Sequence, residues 1–144
     1  MRIVIQRVKS AKVIISDSLH SSIKQGLLCF VGFSEDDNIV DFEWAINKLI
    51  KLKLFNGSSL QDVKGELLLV SQFTLFARIK KGTKPSWSRA ANPVLAKKLY
   101  KQFLTMCEEV MPCLVKSGVF GADMEINSVN YGPLTLVVDT KKKE

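Results

Sequence analysis

The sequence has few of the residues on which metal sites and catalytic triads depend. It contains one histidine, His20, and three cysteines among 144 residues. His20 lies in the polar segment "SLHSS", a poor setting for a desolvated catalytic base. The cysteines Cys29, Cys107 and Cys113 have neither a CxxC motif nor the paired Cys/His spacing of a zinc site. We therefore expect no metal, no cofactor and no structural disulfide.

Long apolar runs and nucleotide-binding motifs are also missing. No apolar run approaches the roughly 18 residues of a membrane span, and Arg2 and Arg7 interrupt any amino-terminal signal sequence. A P-loop, a dinucleotide fingerprint and a nucleophile elbow are absent. With 47% hydrophobic residues, the composition predicts one globular domain over residues 1–144, in the cytoplasm and without a membrane partner.

Positive charge is in excess and is concentrated in one segment. Lysine and arginine number 21 against 14 acidic residues, which gives a net charge of +7. The segment "ARIKKGTKPSWSRAA" combines cations with an aromatic ring, which suits phosphate binding and stacking on an unpaired base. An ordinary solvated loop fits the segment equally well. Its candidate RNA contacts are Lys80, Lys81, Lys84 and Trp87.

Alternating and apolar runs predict six strands. Residues 2–8 alternate as a strand should, and "KVIISD", followed by the polar "SLHSS", is predicted as its hairpin partner. "GLLCFVGF" is apolar on both faces, as in a central strand. The longest strand is predicted over residues 66–76, after a loop at 57–65. Two final strands, 124–129 and 134–139, are predicted to join through "NYGP".

Two segments have helical periodicity. Asp36 or Asp37 is predicted to cap a first helix, and Asn92 with Pro93 to begin a second that Pro112 ends. The first apolar face comprises Ile39, Phe42, Ile46, Leu49 and Ile50, and the second comprises Leu95, Leu99, Phe103, Met106 and Val110. The adjacent Glu108 and Glu109 are predicted to be solvated. Together these elements predict an α/β fold in which two main helices cover a mixed sheet.

A polar cluster interrupts the longest predicted strand. Ser71, Gln72 and Thr74 stand within "LLLVSQFTLF", although a buried polar group costs about 1 to 3 kcal/mol if it is unpaired. One interpretation is that these residues bond to neighbouring backbone or end the strand. The other is that their side chains and amides form the polar floor of a pocket for a small ester or acyl group.

The dipeptide Gly132-Pro133 allows two interpretations as well. Glycine reaches backbone angles closed to other residues, and proline fixes its own φ. An ordinary hairpin turn is the simpler explanation of this pair. The other is a backbone arrangement that presents two carbonyl groups to a ligand.

Four segments in the same order resemble the D-aminoacyl-tRNA deacylase family. They are "MRIVIQRV", "SQFTLF" with "KKGTKPSW" after it, "FGADM" and "NYGPLT". The resemblance covers nearly the whole chain, and the SQxT and Gly-Pro elements are specific in combination. The chain departs from the family pattern at Ala77, Trp87, Tyr131 and Leu134, where Gly, Phe, Asp and Val are common, and the loop at 57–65 looks short.

The resemblance implies a homodimeric hydrolase that removes D-amino acids, and also glycine, from tRNA. It implies a single domain whose mixed sheet rolls toward a barrel. It also implies a cis Gly132-Pro133 peptide that enters the partner's site, holds the α-amino group of the substrate and collides with an L side chain. Ser71, Gln72 and Thr74 would line the site.

Three further residues have roles implied by the resemblance. Phe120 and Met124 would bound the site, and Arg7 would brace the Gly-Pro pair. Catalysis would be assisted by a ribose hydroxyl of the tRNA rather than by Thr74 as a nucleophile, which would explain the missing base. The alternatives are a non-catalytic RNA-binding module and a structural dimerisation protein.

Overall fold

The computed structural model describes residues 1–144 as a six-stranded mixed sheet with two α-helices. This confirms the predicted α/β fold with a mixed sheet and two helices. The elements in chain order are β1 (Arg2–Ile15), β2 (Ser18–Ile23), β3 (Gly26–Gly32), α1 (Ile39–Lys51), β4 (Glu66–Ser71), a short 3-10 helix (Phe73–Phe76), α2 (Pro93–Val110), β5 (Val115–Ser117) and β6 (Glu125–Asp139).

The long strand β1 joins the antiparallel and parallel parts of the sheet. On one edge it pairs with β6 along nearly its whole length, and on the other it pairs with β3 and then with β2. Strands β3, β4 and β5 are parallel, with α1 and α2 in the two crossover connections. The carboxyl ends of β3 and β4 therefore lie together at one edge of the sheet.

The sheet curls until its outer strands approach each other. The Ser21 hydroxyl in β2 donates to the Ser117 carbonyl in β5 at 2.8 Å, which links two strands that do not pair in the ladder. A hydrophobic cluster of seven buried residues fills the inside of the curl, and a cluster of 23 lies between the opposite face and the helices. The predicted rolling toward a barrel is thus confirmed.

Helix α2 has the boundaries predicted for it. The Asn92 side chain accepts from the Leu95 amide at 3.0 Å, Pro93 is the first helical residue, and the helix ends two residues before Pro112. The predicted face is only partly buried, since Val110 is 52% exposed. The buried residues of α2 are Ala96, Leu99, Tyr100, Phe103 and Cys107.

The predicted cap of α1 is wrong. Asn38 caps the helix by accepting from the Val40 amide, and Asp41 completes the capping box. Asp37 is occupied elsewhere, because its buried carboxylate contacts the Met1 ammonium group and accepts from the Ser34 amide. Ile39, predicted on the apolar face, is 50% exposed.

The predicted first hairpin is also wrong. "KVIISD" continues β1 rather than returning beside it, and the chain reverses at Ser16 and Asp17, which have φ angles of 48° and 61°. The polar segment "SLHSS" is itself the partner strand β2. An exposed edge strand needs no apolar residues on its outer face, so the polar composition concealed it.

Three further boundaries differ from the prediction. Strand β4 ends at Ser71, and the chain continues as the 3-10 helix instead of running on to Phe76. The two predicted final strands are one strand, β6, within which "NYGP" lies. The short strand β5 was not predicted. In the described chain, neither helix is long and apolar enough to cross a membrane.

Candidate active site

The polar cluster lies where the parallel strands end. Ser71 is the last residue of β4, and Gln72 and Thr74 follow in and beside the 3-10 helix. The Gln72 amide Nε2 donates to the Thr74 hydroxyl, and the Gln72 backbone amide donates to the Val31 carbonyl at 2.7 Å. All three polar side chains are half-buried. These residues therefore end the strand, as the first interpretation predicts, and their side chains stay partly accessible.

A cavity of about 470 Å³ opens beside this cluster. We call it the Trp87 cavity. Phe73 and Trp87 pack edge to face in it, with ring centroids 5.1 Å apart. Its size falls in the range of about 300 to 1,000 Å³ that is usual for small-molecule sites. The lining residues are Ser71, Phe73, Trp87, Ala90, Ala91, Asn92, Pro93, Ala96, Phe120 and Gly121.

Some of the predicted site residues line the Trp87 cavity and others do not. Ser71, Phe120 and Trp87 line it, and Gln72 and Thr74 flank the lining residue Phe73. Phe120 packs against Tyr100 with ring centroids 5.8 Å apart. Met124 does not line the cavity: it packs against the cluster inside the curl and lines a separate groove beside Asp123.

Much of the cavity wall was missed by the sequence analysis. Ala90, Ala91 and Ala96 are small and apolar, so nothing in their identity marks them as part of a site. Asn92 and Pro93 were recognised only as a helix start, yet the start of α2 forms one wall. The signal that could have found this wall is the proximity of that start to the segment containing Trp87.

The predicted Gly-Pro pair lies in an exposed bulge of β6. We call residues 130–133 the Gly-Pro segment. The pairing of β1 with β6 shifts register here, between the Gln6–Thr135 and Val8–Asn130 pairs. Gly132 has a φ of 120°, and the peptide between Gly132 and Pro133 is cis.

Arg7 anchors the Gly-Pro segment to the body of the chain. Its Nε donates to the Tyr131 carbonyl at 3.1 Å, and its Nη1 donates to the Leu54 carbonyl at 2.6 Å. A Cβ atom built on Gly132 would lie 2.5 Å from Arg7 Nη2, so the guanidinium occupies the space of a side chain. No residue of the segment lines the Trp87 cavity of the same chain.

The predicted basic segment forms a loop beside the cavity. Residues 78–89, here called the basic loop, are closed by two hydrogen bonds between the backbones of Arg78 and Ser86, at 2.9 and 3.0 Å. Lys80, Lys81 and Lys84 are exposed, and none forms an ion pair within the chain. Trp87 connects the loop to the cavity, because its ring forms part of the wall.

No group with a shifted pKa lines the Trp87 cavity, and three such groups lie in the core. Burial raises the pKa of the Cys29 thiol well above its usual range, and burial raises the pKa of Cys107 and of Tyr100 to about 12. These groups stay protonated at neutral pH. Tyr100 lies behind Phe120, and its hydroxyl donates to the Leu69 carbonyl at 3.0 Å.

The remaining candidate acids and bases are dispersed on the surface. His20 is exposed on β2, and Glu108 and Glu109 are exposed near the end of α2. The described chain has no cluster of three or more His, Cys, Asp or Glu side chains that could hold a metal ion. None of the three residues His20, Glu108 and Glu109 lines the Trp87 cavity.

Comparison with known proteins gives consistent sequence matches. The family model described as D-Tyr-tRNA(Tyr) deacylase matches residues 4–139. A D-aminoacyl-tRNA deacylase of Cytophaga hutchinsonii is 45% identical over 147 aligned residues, which cover 98% of each chain.

Two solved structures share the fold. The c-Myc DNA unwinding element binding protein superposes with a TM-score of 0.91 at 33% identity, covering 96% of this chain and 98% of that chain. A probable eukaryotic D-amino acid tRNA deacylase superposes with a TM-score of 0.85 at 17% identity, covering 95% and 97%. The second likeness shows the fold alone.

Proposed function

This chain belongs to the D-Tyr-tRNA(Tyr) deacylase family and is a hydrolase of D-aminoacyl-tRNA, and from that premise we propose where and how it acts. The reaction takes place in the Trp87 cavity, beside Ser71 and the 3-10 helix. The observation that carries this proposal is the cavity itself, which adjoins the SQxT residues. The cavity also opens beside the basic loop, whose lysines form no ion pairs within the chain. Because its substrate is charged tRNA, we propose that the enzyme acts in the cytoplasm.

The Trp87 cavity suits the 3′ end of a charged tRNA. Its aromatic wall, Phe73 and Trp87, offers ring surface on which the terminal adenine can stack. Its small side chains leave room for the ribose and for the aminoacyl group, while Phe120 closes the far side. The start of α2 lies in the wall, where the positive end of the helix dipole favours the phosphate of the terminal nucleotide.

The cavity contains no histidine or carboxylate that could act as a general base. An aminoacyl ester is already activated, and the vicinal ribose hydroxyl of the terminal adenosine can assist the attack of water on it. The first amides of a helix have no intrahelical acceptor, so the Phe73 and Thr74 amides are free to stabilise the developing oxyanion. The protein then orients the ester, and the tRNA supplies the assisting hydroxyl.

Thr74→Ala tests whether Thr74 positions the substrate or acts as a covalent nucleophile. Loss of a positioning hydrogen bond from the Thr74 hydroxyl should slow D-Tyr-tRNA hydrolysis by about 5- to 150-fold, the equivalent of about 1 to 3 kcal/mol. Loss of a covalent nucleophile would instead cost about 10⁶-fold. Single-turnover deacylation measures the rate, and Thr105→Ala, on the exposed face of α2, is the matched control. An aminoacyl-Thr74 adduct detected by mass spectrometry would refute tRNA-assisted catalysis.

Discrimination between D and L substrates is assigned to the Gly-Pro segment of a second subunit. The carbonyls of Gly132 and Pro133 would hold the α-amino group of the substrate, and an L side chain would collide with this pair. Both residues are exposed, and neither reaches the cavity of its own chain. Under this proposal a second copy supplies the segment. Glycine has no side chain to collide, so glycyl-tRNA is also a substrate under this proposal.

The sheet has a surface that suits pairing with a second copy. The outer edge of β6 has no partner strand in the chain. Across the sheet, Val4 pairs with both Phe30 and Val137, so the three side chains form one row on the same face. Val137 is 76% exposed, and its two neighbours are half-buried. An apolar row beside a free edge supports a homodimer.

The basic loop is assigned to the phosphates of the tRNA. Three lysines without intramolecular ion pairs, Lys80, Lys81 and Lys84, extend from a loop that is closed next to the cavity. Lysines in such a position neutralise backbone phosphates and release their counterions. Trp87, which lies in both the basic loop and the cavity wall, would stack on a nucleotide between the two.

Replacing the three loop lysines with alanine should make tRNA binding less sensitive to salt. The slope of log K against log salt should become shallower by about 2 to 3, because each lost phosphate contact removes about 0.7 to 0.9. Hydrolysis of saturating substrate should change little. The matched control replaces Lys12, Lys24 and Lys116, which are equally exposed but lie outside the basic loop. An unchanged slope in the loop variant would make this segment ordinary surface.

A second candidate function is nucleic-acid binding without catalysis. This candidate is favoured by the basic loop, whose lysines form no ion pairs within the chain. It is also favoured by the similar solved structure that is named for binding a DNA unwinding element. Phosphate binding requires neither the Trp87 cavity nor the Gly-Pro segment. Incubation with D-Tyr-tRNA and L-Tyr-tRNA separates the candidates: the deacylase releases D-tyrosine alone, and the binding module releases neither.

A further inference from the structure

The ring of Tyr131 lies against two cations. The Arg7 guanidinium carbon and the Lys9 ammonium nitrogen are each 4.8 Å from the ring centroid. Both distances are within the roughly 6 Å at which a cation is attracted to an aromatic face. Tyr131 precedes Gly132 directly, so these contacts act on the Gly-Pro segment at its most irregular point.

Both cations lack a carboxylate partner. Neither Arg7 nor Lys9 forms an ion pair in the described chain, and Arg7 directs two hydrogen bonds at backbone carbonyls. The Tyr131 ring is thus an aromatic group that both cations share. Tyr131 is 42% exposed, so its ring contributes little to the hydrophobic core.

Arg7 holds the backbone beside Gly132, and the Tyr131 ring adds side-chain contacts at the same place. Arg7 fixes the backbone carbonyl of Tyr131 by a hydrogen bond and fills the space beside Gly132. Lys9 is two residues along β1 and approaches the same ring. Two residues of β1, Arg7 and Lys9, therefore hold one ring between them. The ring thus ties the exposed bulge of β6 to β1.

We infer that Tyr131 is a positioning residue, which through Arg7 and Lys9 holds the Gly-Pro segment in the orientation that rejects L substrates. This inference rests on the proposed function, in which that segment discriminates between D and L substrates. A segment held in one orientation rejects L substrate in nearly every encounter. A segment that samples others leaves the site open for part of the time.

The inference is tested with variants that separate the ring from its hydroxyl. Tyr131→Phe keeps the aromatic face and should keep the wild-type ratio of kcat/KM for D-Tyr-tRNA over L-Tyr-tRNA. Tyr131→Leu removes the attraction for both cations and should lower that ratio about 5- to 30-fold. Tyr131→Asp offers the two cations a carboxylate and should restore most of the ratio. A residue that served packing alone would rank these variants by apolar volume instead.

Lys9→Met provides an independent variant on another strand. It should lower the ratio by about half as much on a logarithmic scale, and it should have no further effect when combined with Tyr131→Leu. Lys12→Met is the matched control, because Lys12 is exposed on the same strand and contacts no aromatic ring. Hydrogen exchange of the Gly132 amide should accelerate in Tyr131→Leu and not in the control.

The outcomes distinguish the inference from its premise. If the wild type discriminates and Tyr131→Leu discriminates equally well, the positioning role of Tyr131 is wrong and the proposed function stands. If the wild type hydrolyses both substrates at one rate, the discriminating role of the Gly-Pro segment is wrong, and the inference is wrong with it. If Tyr131→Leu loses its fold by circular dichroism, Lys9→Met decides, because an unchanged ratio in that variant also contradicts the inference.

Discussion

Gly132→Ala should lower D-Tyr-tRNA hydrolysis by about 100-fold while the protein stays folded. The φ of Gly132 is 120°, in a region that L residues rarely adopt, and the added Cβ would lie 2.5 Å from Arg7 Nη2. Either the segment or the guanidinium must move. Movement of Arg7 also loosens its hydrogen bonds to the Tyr131 and Leu54 carbonyls. A displacement of about 1 Å in a substrate-positioning group is enough for an effect of this size.

Gly57→Ala is the control for this substitution. Gly57 also has a positive φ, 87°, but a Cβ built there meets no atom within 4 Å. The control therefore carries the backbone strain, about 1 to 3 kcal/mol of stability, without the collision at Arg7. Single-turnover hydrolysis of D-Tyr-tRNA and thermal unfolding are measured for both variants. Equal activity in Gly132→Ala and wild type would reduce the Gly-Pro segment to a surface bulge.

The parts of the fold that were predicted correctly depend on local signals. The start of α2 has a side-chain cap at Asn92 and a proline at the first helical position, and both act within one turn. At α1 the local signal was ambiguous, because three consecutive residues, Asp36, Asp37 and Asn38, can each cap a helix. Asp37 instead meets the Met1 ammonium group, a contact across 36 positions that no local pattern contains.

The strands were predicted less well for a similar reason. Whether "KVIISD" continues β1 depends on β6, which pairs with both halves of the strand. The same pairing joins the two predicted final strands into β6. The segment "NYGP" forms a bulge in this strand, and the residues on either side of it still pair with β1. A periodic pattern describes which faces are buried, but it contains no information on which neighbour covers them.

The residues of the candidate site also differ in whether a local sequence signal marks them. Ser71, Gln72 and Thr74 could be proposed from the sequence because polar residues inside an apolar run are costly unless they are paired. The alanines of the Trp87 cavity could not, since their importance is the space that they leave open. That space exists only where the end of β4, the start of α2 and residues 120–121 meet.

Ala90→Phe should lower D-Tyr-tRNA hydrolysis by about 100-fold or more, because the ring would fill the cavity proposed for the ester. Ala90 is half-buried in the wall, so the larger side chain can extend into the cavity without displacing the core. Ala90→Ser is the matched control, which adds one oxygen atom and should keep activity within a few-fold. Thermal unfolding checks that both variants fold. Full activity of a folded Ala90→Phe protein would move the site away from the Trp87 cavity.

Combining this variant with Gly132→Ala tests which subunit supplies the Gly-Pro segment. Each variant alone should be nearly inactive, and light scattering should first give about twice the 16.1 kDa of one chain for each. In a mixed dimer, isolated through two different affinity tags, the Gly132→Ala subunit keeps an open cavity and receives an intact segment from its Ala90→Phe partner. One of the two sites is then complete, so the mixed dimer should recover about half of the wild-type rate. If each segment served its own cavity, both sites would stay defective, and a mixed dimer as inactive as its parents would refute the contribution of the partner.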